Sequence, residues 1–494
     1  MIDHDAHTPV TQAPLAPARG GVLGTRAAAA WWARRWARLR ARPVGPFVVP
    51  GAIVFVVTAL VVLATYLNHP QVEIYPDSNG YIAVAHGIRD RGAFVDALRM
   101  PGYPSLMALV FALAHGENFA LLSAVQGALF ALAAVEVYAL TALIARRAWI
   151  AAIVGLLLGT NLYAIKYVKP IVSDGLALWL VVTLSLATVV CVRWPRARHL
   201  WLVAGCLLAL FMTRPEWAYA PALVFAYLLV VAARQGKLRR LWPHALGATL
   251  ALYLLLGAFV YQNATRNGYA GITWIQNVNL LGKVMQFGMQ DEAPPQYAAV
   301  ARTVDAYLAR GGSGPWRLVD ATPALNAHHG ALAGAFGLAV ISTHPLEFAA
   351  RESLVVFTST SFNYTADDFQ TISAIQPNGP FGAMLLALRA LSAGVYWTYE
   401  LFLATVAQWV VRAIRRRGQH GDELGPLAPL GAVLLLGLYA LGITTLAAYG
   451  DYARIHSSFN PLLLVAVWTT ALTLGARLWR ARAPAASAPT GAGR

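Results

Sequence analysis

Apolar stretches long enough to cross a membrane recur along most of this chain of 494 residues. A helix needs about 20 mostly apolar residues to span the hydrocarbon core of a bilayer. Ten stretches approach or exceed that length, namely 47–67, 119–145, 149–167, 172–192, 199–215, 218–234, 243–262, 391–412, 427–449 and 458–479. They predict an all-α polytopic membrane protein with a bundle of about ten transmembrane helices.

The charge composition excludes several other classes of protein. Only 12% of the residues are charged and 58% are hydrophobic, whereas about a quarter of the residues in a soluble domain are charged. A cytosolic enzyme and a secreted disulfide scaffold are therefore excluded. The formal net charge of +16 would suggest nucleic acid for a soluble protein, but in a membrane protein the positions of Lys and Arg matter more than their sum. We expect no nucleic-acid partner.

Basic residues cluster in the N-terminal tail and in alternate loops between the predicted spans. The clusters lie at 26–42, 146–147, 193–198, 234–240, 412–417 and 477–482. With ten spans they all fall on one side, which the positive-inside rule makes cytoplasmic. We therefore predict a multi-pass protein of the cytoplasmic (inner) membrane with both termini in the cytoplasm. Segment 334–360 would break this pattern if it crossed, so we predict that it is interfacial or re-entrant.

The predicted spans divide the chain into five regions. These are a basic cytoplasmic tail with an amphipathic helix at 1–46, an N-terminal transmembrane module at 47–262 with a first outer loop at 68–118, an extracytoplasmic cap with interfacial helices at 263–390, C-terminal transmembrane helices at 391–480, and a disordered cytoplasmic tail at 481–494. The cytoplasmic loops are short and hold no phosphate-binding motif. An enzymatic site would therefore lie on the outer side, where a lipid is the simplest carrier of an activated substrate.

Asp77 stands where a helix of the first outer loop is predicted to begin. Pro76 precedes it, and the apolar positions that follow recur at helical spacing. These positions, expected to face the bilayer surface, are Tyr81, Val84, Ala85 and Ile88. Two interpretations stay open at this point: Asp77 acts as a general base, or it caps the helix.

A longer pattern in the same loop resembles a known family. Asp77 is followed by Tyr81, then by Ala85 and Gly87, and then by the motif R-x-P-G-Y-P at 99–104. This pattern resembles the first outer loop of the GT-C membrane glycosyltransferases. It is most similar to the bacterial branch related to dolichyl-phosphate-mannose protein mannosyltransferases and lipid A aminoarabinose transferases. Three later features fit: Asp174, the motif TRPE at 213–216, and DYARIHSSFNPLLL at 451–464.

The resemblance implies a GT-C-like bundle and a particular chemistry. In those families the acid of the first outer loop is the catalytic base, and the donor is a sugar linked to polyprenyl phosphate. The resemblance therefore implies that Asp77 is the catalytic residue. Some members carry two adjacent acids at this place, whereas Ser78 follows Asp77 here.

Such a reaction needs a base for the acceptor hydroxyl and cations for the departing phosphate, and a one-step displacement would invert the anomeric centre. The donor-phosphate candidates, all at predicted outer ends of spans, are Arg99, Lys166, Lys169, Arg214 and Arg454. The supporting candidates are Tyr81, Tyr103, Asp174 and Glu216. Each basic residue could instead reach lipid headgroups or pair with a nearby acid.

Together these features predict an integral membrane glycosyltransferase that transfers a hexose or pentose from a polyprenyl-phosphate donor. The acceptor would be an envelope glycan, a lipid or a protein, and membrane lipids would surround the chain. A transporter or flippase of lipid-linked sugars and an envelope-glycan polymerase or ligase stay open as alternatives. No cofactor follows with certainty, and a divalent metal is left open, with Asp367 and Asp368 as acids that could bind one.

Aromatic residues of the cap are candidates to stack on sugar faces. They are Trp274, Tyr297, Trp316 and Tyr364. For any one of them, packing within the loop or anchoring at the membrane interface is the commoner role.

Overall fold

The computed structural model describes residues 45–359, 372–415 and 427–482, and this part of the chain is helical, without strands. The described residues from Pro50 onward form one compact unit, and only the start of a helix is described before it. Several predictions fall outside the described residues: the amphipathic helix within 1–46, the acids Asp367 and Asp368, Tyr364, and the tail beyond residue 482.

The first half of the described chain contains ten helices. They are α1 (Gly45–Asn68), α2 (Pro76–Arg91), α3 (Gly102–Leu113), α4 (Phe119–Ala145), α5 (Ala148–Gly159), α6 (Leu162–Ile165), α7 (Asp174–Arg193), α8 (Ala197–Phe211), α9 (Ala220–Arg234) and α10 (Leu238–Asn267). A 3₁₀ turn, Pro215–Tyr219, leads into α9.

The second half adds ten more helices. They are α11 (Ile275–Phe287), α12 (Ala298–Ala309), α13 (Pro315–Ala321), α14 (Pro323–Thr343), α15 (Pro345–Ser359), α16 (Gly382–Trp397), α17 (Leu401–Arg415), α18 (Ala428–Ala447), α19 (Tyr452–Ser457) and α20 (Asn460–Arg482). Short 3₁₀ turns are found at Gln290–Glu292, Pro295–Tyr297 and Thr398–Glu400.

Among the described residues, eight helical segments are long and apolar enough to cross a membrane. Seven coincide with predicted spans: α1, α4, α7, the segment Pro215–Arg234, α10, α18 and α20. The other three predicted spans differ. The stretch 149–167 ends as α5 at Gly159, because Asn161 caps a new short helix through the Ala164 N–H. The stretch 199–215 is the 15-residue α8, and 391–412 is divided by the turn at Thr398–Glu400. The count of ten therefore stays a prediction.

The eighth segment, α14, overlaps the stretch that we predicted to be interfacial. Its backbone leaves helical geometry at 327–330, where His328, His329 and Gly330 have positive φ. Only 331–343 is continuous helix, which is about 20 Å long at 1.5 Å per residue against about 30 Å of hydrocarbon. An interfacial or re-entrant placement of 334–360 is compatible with this length and stays a prediction.

Two packing arrangements position the site. The stripe of α2 that we expected to face the bilayer is instead covered by protein, because Val84, Ala85 and Ile88 are buried in a core shared with Met107 and Phe111 of α3. At the centre of the bundle, α7 is buried on all sides and packs on α4, α8 and α18. The N-terminus of α7 lies at the same end of the bundle as α2 and α3.

Candidate active site

A cleft of about 500 Å³ lies at this end of the bundle. Segments that are far apart in sequence line it, at 75–81, 98–100, 213–219, 272–279, 314–316 and 444–455. Of the site residues predicted from sequence, six line the cleft: Asp77, Tyr81, Arg99, Arg214, Glu216 and Arg454. Residues predicted to share one side of the membrane are thus brought together around one cavity.

Asp77 does not cap its helix. Helix α2 begins at Pro76, and the capping bond is made by Ser78, whose buried hydroxyl accepts the N–H of Tyr75 at 2.9 Å. The Asp77 carboxylate is thereby left to face the cleft, with 31% of its side chain exposed. The N-cap interpretation of Asp77 is therefore wrong: Tyr75 occupies the N-cap position, and Ser78 supplies the side-chain hydrogen bond that caps the helix.

Two arginines hold the Asp77 carboxylate between them. Arg99 Nη2 donates to Oδ1 at 2.8 Å, and Arg454 Nη1 lies 2.9 Å from Oδ2. The Arg99 guanidinium also lies over the Tyr81 ring, 4.6 Å from its centroid. Burial alone would raise the pKa of Asp77, but the charges of Arg454 and Arg99 outweigh it and hold that pKa below its usual value. The carboxylate is therefore ionised in the free protein.

Glycines allow the arginine segments to approach. A Cβ at Gly80, one turn after Asp77, would lie 3.0 Å from Arg99 Nε. Because glycine has no side chain, Arg99 can cross α2 at this position. The N–H of Gly102, in the P-G-Y-P turn, donates to the carbonyl of Met212 at 2.6 Å. A Cβ at Gly102 would lie 2.7 Å from that oxygen. The R-x-P-G-Y-P and TRPE motifs are therefore in direct contact, which places Arg99 and Arg214 on the same cleft.

The turn after α18 directs Arg454 into the cleft. Gly450 and Asp451 both have left-handed backbone conformations, with φ of 63° and 52°. They reverse the chain so that α19 presents Arg454 to Asp77, while Arg454 Nε also lies 3.4 Å from the Asp451 carboxylate. Burial alone would lower the pKa of Arg454, but the surrounding carboxylates, Asp174 foremost, raise it. Arg454 is thus a permanent cation.

Arg214 lies deeper in the cleft, with 11% of its side chain exposed. It forms an ion pair with Asp174, the buried first residue of α7, and lies 3.9 Å from Glu216. Behind this pair, the buried Tyr103 hydroxyl donates to Gln126 at 2.7 Å. Asp174 and Tyr103 therefore support the site from below and do not line the cavity.

Two predicted phosphate ligands are placed elsewhere. Lys166 and Lys169 are both buried and are not among the residues that line the cleft. Lys166 Nζ lies over the Tyr167 ring, 4.6 Å from its centroid, and Lys169 Nζ donates to the carbonyl of His69. Burial lowers the pKa of Lys169 to about 8. Their loop folds inward because Gln126 donates to the carbonyls of Val168 and Pro170, at 2.5 and 3.0 Å.

The cleft combines balanced charge with unused donors. Three arginines and three acids line it, Asp77, Glu216 and Asp451, so the formal charges cancel as 3 − 3 = 0. The Nε–H groups of Arg99 and Arg214 are buried without a hydrogen-bond partner. A guanidinium group has five N–H donors, and an anion is the ligand that makes best use of them.

A buried ion pair near Arg454 was missed by sequence reasoning. Lys283 Nζ of α11 lies 2.9 Å from the Glu352 carboxylate of α15, and it donates to the Tyr452 hydroxyl at 2.8 Å. The two charged side chains are 1% and 2% exposed. Tyr452 is the first residue of α19, so the pair joins two cap helices to the segment that carries Arg454. The only signal in the sequence was a lysine and a glutamate within apolar surroundings.

Lys283→Met should lower the free energy of unfolding by about 3–5 kcal/mol, because it leaves the Glu352 carboxylate buried without its counter-ion. The double variant Lys283→Met with Glu352→Leu should recover most of that loss, since no buried charge is left unpaired. Denaturant titration in mixed micelles measures both. A double variant as unstable as the sum of the two single variants would contradict this view of the pair.

Among the described residues of 263–390, one group of side chains has the composition of a metal site. Ligand atoms of Glu292, His344 and Glu347 lie within 4.8 Å of one another. These residues are separate from the cleft, and Arg351 already forms an ion pair with Glu347. Elsewhere in the same region, His329 hydrogen-bonds the carbonyl of Asn267 at 2.8 Å.

No family model matches the sequence, and no curated protein matches it. Among solved structures the chain is similar to the archaeal oligosaccharyltransferase AglB from Archaeoglobus fulgidus, in complex with an inhibitory peptide and a dolichol-phosphate. The TM-score is 0.44 and the sequence identity 12%. The match covers 87% of this chain and 51% of that one, so the chain spans about half the length of AglB. A similarity of this degree does not assign a family.

Proposed function

We propose that this chain is a membrane glycosyltransferase that moves a sugar from a polyprenyl-phosphate donor to an acceptor hydroxyl, with Asp77 as general base. The observation that carries the proposal is the Asp77 carboxylate, held between Arg99 and Arg454 at 2.8 and 2.9 Å in a cleft of about 500 Å³. A base for the incoming hydroxyl and cations for a departing phosphate are thus within one site.

In the free protein the arginines are paired with carboxylates, and the donor phosphate would compete for them. Arg–phosphate hydrogen bonds are charge-assisted and frequently bidentate. As Arg99 and Arg454 turn toward the phosphate, less positive charge acts on Asp77. Its pKa then rises toward the ordinary value, which makes the carboxylate a stronger base when the donor is present. Donor binding would in this way prepare the base.

The transfer step follows from this arrangement. The acceptor oxygen attacks the anomeric carbon as its proton passes to Asp77, and the bond between that carbon and the phosphate oxygen breaks. The phosphate leaves as an anion among the arginines, which stabilise the charge that develops on it. A direct displacement of this kind inverts the anomeric centre.

Bilayer-embedded donors require a site at the membrane boundary. The positive-inside pattern predicts that this end of the bundle lies on the outer side of the cytoplasmic membrane.

Asp90→Cys, exposed on α2, should react with an impermeant maleimide added outside, and Arg239→Cys, exposed at the start of α10, should not. The native Cys191 and Cys206 are buried, so the unmodified chain is the control. Labelling of Arg239→Cys alone from outside would contradict the orientation.

The proposal is tested by a transfer assay with the protein in liposomes fused with membranes of the source cells, which carry the acceptor. Tritiated polyprenyl-phosphate hexoses and pentoses are added, and release of polyprenyl phosphate and labelled product is measured. A transporter or flippase would move the intact lipid across the bilayer without breaking the sugar–phosphate bond. Movement of label without such cleavage would therefore overturn the proposal.

The same assay yields a pH dependence. In the free cleft the pKa of Asp77 is lowered, so its active ionised form persists below the ordinary value of about 3.9. The pH dependence of kcat/KM for the donor reports the free protein, and that of kcat reports the donor complex. Activity should therefore fall at a lower pH in kcat/KM than in kcat as the solution is made acidic. A fall at the same pH in both would contradict the proposed competition between phosphate and Asp77.

A further inference from the structure

The cleft has two chemically different walls. All six charged residues that line it belong to the segments at 75–81, 98–100, 213–219 and 444–455. The wall supplied by the cap, at 272–279 and 314–316, contributes no charged side chain among the described lining residues. Its polar groups are amides and hydroxyls, and its largest ring is that of Trp316.

Hydrogen bonds to the backbone fix the segment that carries Trp316. The Tyr449 hydroxyl donates to the carbonyl of Ser313 at 2.7 Å, and the Tyr307 hydroxyl donates to that of Gly314 at 3.1 Å. The Trp316 ring meets the Trp274 ring edge to face, with 5.1 Å between centroids. Side chains fixed in this way lose little freedom on binding a ligand, which favours affinity.

Unused hydrogen-bonding groups lie on the same wall. Gln276 is exposed at the start of α11, and its amide lines the cleft. The Asn279 amide donates one N–H to the carbonyl of Ala447 at 2.8 Å, which leaves its oxygen and its second N–H available, since a side-chain amide has two donors and one acceptor. An apolar ring beside free amides matches a sugar, which has an apolar C–H face and a rim of hydroxyls.

We infer that the cap wall is an acceptor subsite for an uncharged carbohydrate, with the Trp316 ring as its stacking platform and the amides of Gln276 and Asn279 as hydroxyl ligands. This inference rests on the proposed function. A charged acceptor would bring its charge against a wall without a counter-charge, and burial of an unpaired charge is costly. The arginines of the facing wall are engaged by carboxylates and, in the reaction, by the donor phosphate.

The test uses membranes of the source cells in which each variant replaces the chromosomal gene, fed with tritiated polyprenyl-phosphate hexoses and pentoses. With the unmodified chain, label should accumulate in a neutral glycan fraction that resists protease. Trp316→Ala should lower transfer about tenfold at limiting acceptor without changing the KM for the donor, and Trp316→Phe should restore most of it. Trp242→Ala, an exposed tryptophan remote from the cleft, is the matched control.

Each outcome decides a separate claim. Label in a protease-released or acidic fraction, or unchanged transfer by a folded Trp316→Ala chain, overturns the acceptor assignment and leaves the transferase intact. Thermal unfolding of Trp316→Ala and Trp316→Phe in detergent establishes whether each variant is folded. If both are folded and lose transfer equally, the role of the Trp316 ring as a stacking platform is also overturned. Absence of transfer by the unmodified chain with every donor overturns the proposed function itself.

Discussion

Asp77→Asn should lower the rate of sugar transfer by about 10²- to 10⁴-fold, which is the contribution typical of a positioned general base. The substitution keeps the shape of the side chain and removes the carboxylate that would accept the proton. An asparagine also points an N–H at one of the two arginines, so one contact of Asp77 is lost along with the base. Initial rates in the liposome assay at saturating donor measure the effect on kcat.

Asp90→Asn is the matched control for that variant. Asp90 lies on the same helix, is exposed, and pairs with Arg89, so its loss removes one acid from α2 without touching the cleft. Its transfer rate should be that of the unmodified chain. Asp77→Glu, which retains a carboxylate displaced by one methylene, should be impaired less than Asp77→Asn. Similar rates for Asp77→Asn and Asp90→Asn would exclude Asp77 as the base.

Arg454→Ala should have the second largest effect, a loss of about 10²–10³-fold in kcat together with a raised KM for the donor. That magnitude is typical of the removal of one donor that stabilises charge in the transition state. Arg454 contacts both Asp77 and Asp451, so its removal also deprives two carboxylates of a counter-ion. The KM for the acceptor should change little, because the cap wall is untouched.

Arg454→Lys distinguishes the effect of the positive charge from that of the guanidinium geometry, because lysine is a cation without the planar, two-pronged donor group. It should recover part of the activity and only part of the donor affinity. Arg193→Ala removes a partly buried arginine at the far end of α7, which donates to the carbonyl of Leu143 at 2.7 Å, and should leave both KM values unchanged. If Arg454→Ala raises the KM for donor and acceptor equally, its role is structural.

The sequence predicts that the site candidates share one side of the membrane, because helix ends are predictable from apolar length. Asp77 and Arg99 belong to the first outer loop, Arg214 and Arg454 lie near ends of predicted spans, and the structure brings all four to one cleft. The contact between Gly102 and Met212 explains why two separate motifs meet. That contact joins segments more than a hundred residues apart, and no local pattern encodes it.

Two differences between the sequence-based predictions and the structure have identifiable causes. Lys166 and Lys169 resemble Arg214 in sequence, since all three follow apolar stretches, but Gln126 draws their loop inward through two backbone carbonyls. Asp77 was open to interpretation as a helix cap because the first turn was placed one residue late. With Pro76 as the first helical residue, Tyr75 takes the N-cap position, and Ser78 at the third helical position accepts its N–H.

The most direct test of Asp77 as the general base is a single-turnover experiment with donor bound in advance. Donor-loaded protein is mixed with membranes that contain the acceptor, and transfer of labelled sugar is followed in the unmodified chain and in Asp77→Asn. We expect equal donor loading in both and transfer that is at least 100-fold slower in the variant. Equal loading with equal transfer rates would contradict the claim that the Asp77 carboxylate accepts the proton of the incoming hydroxyl.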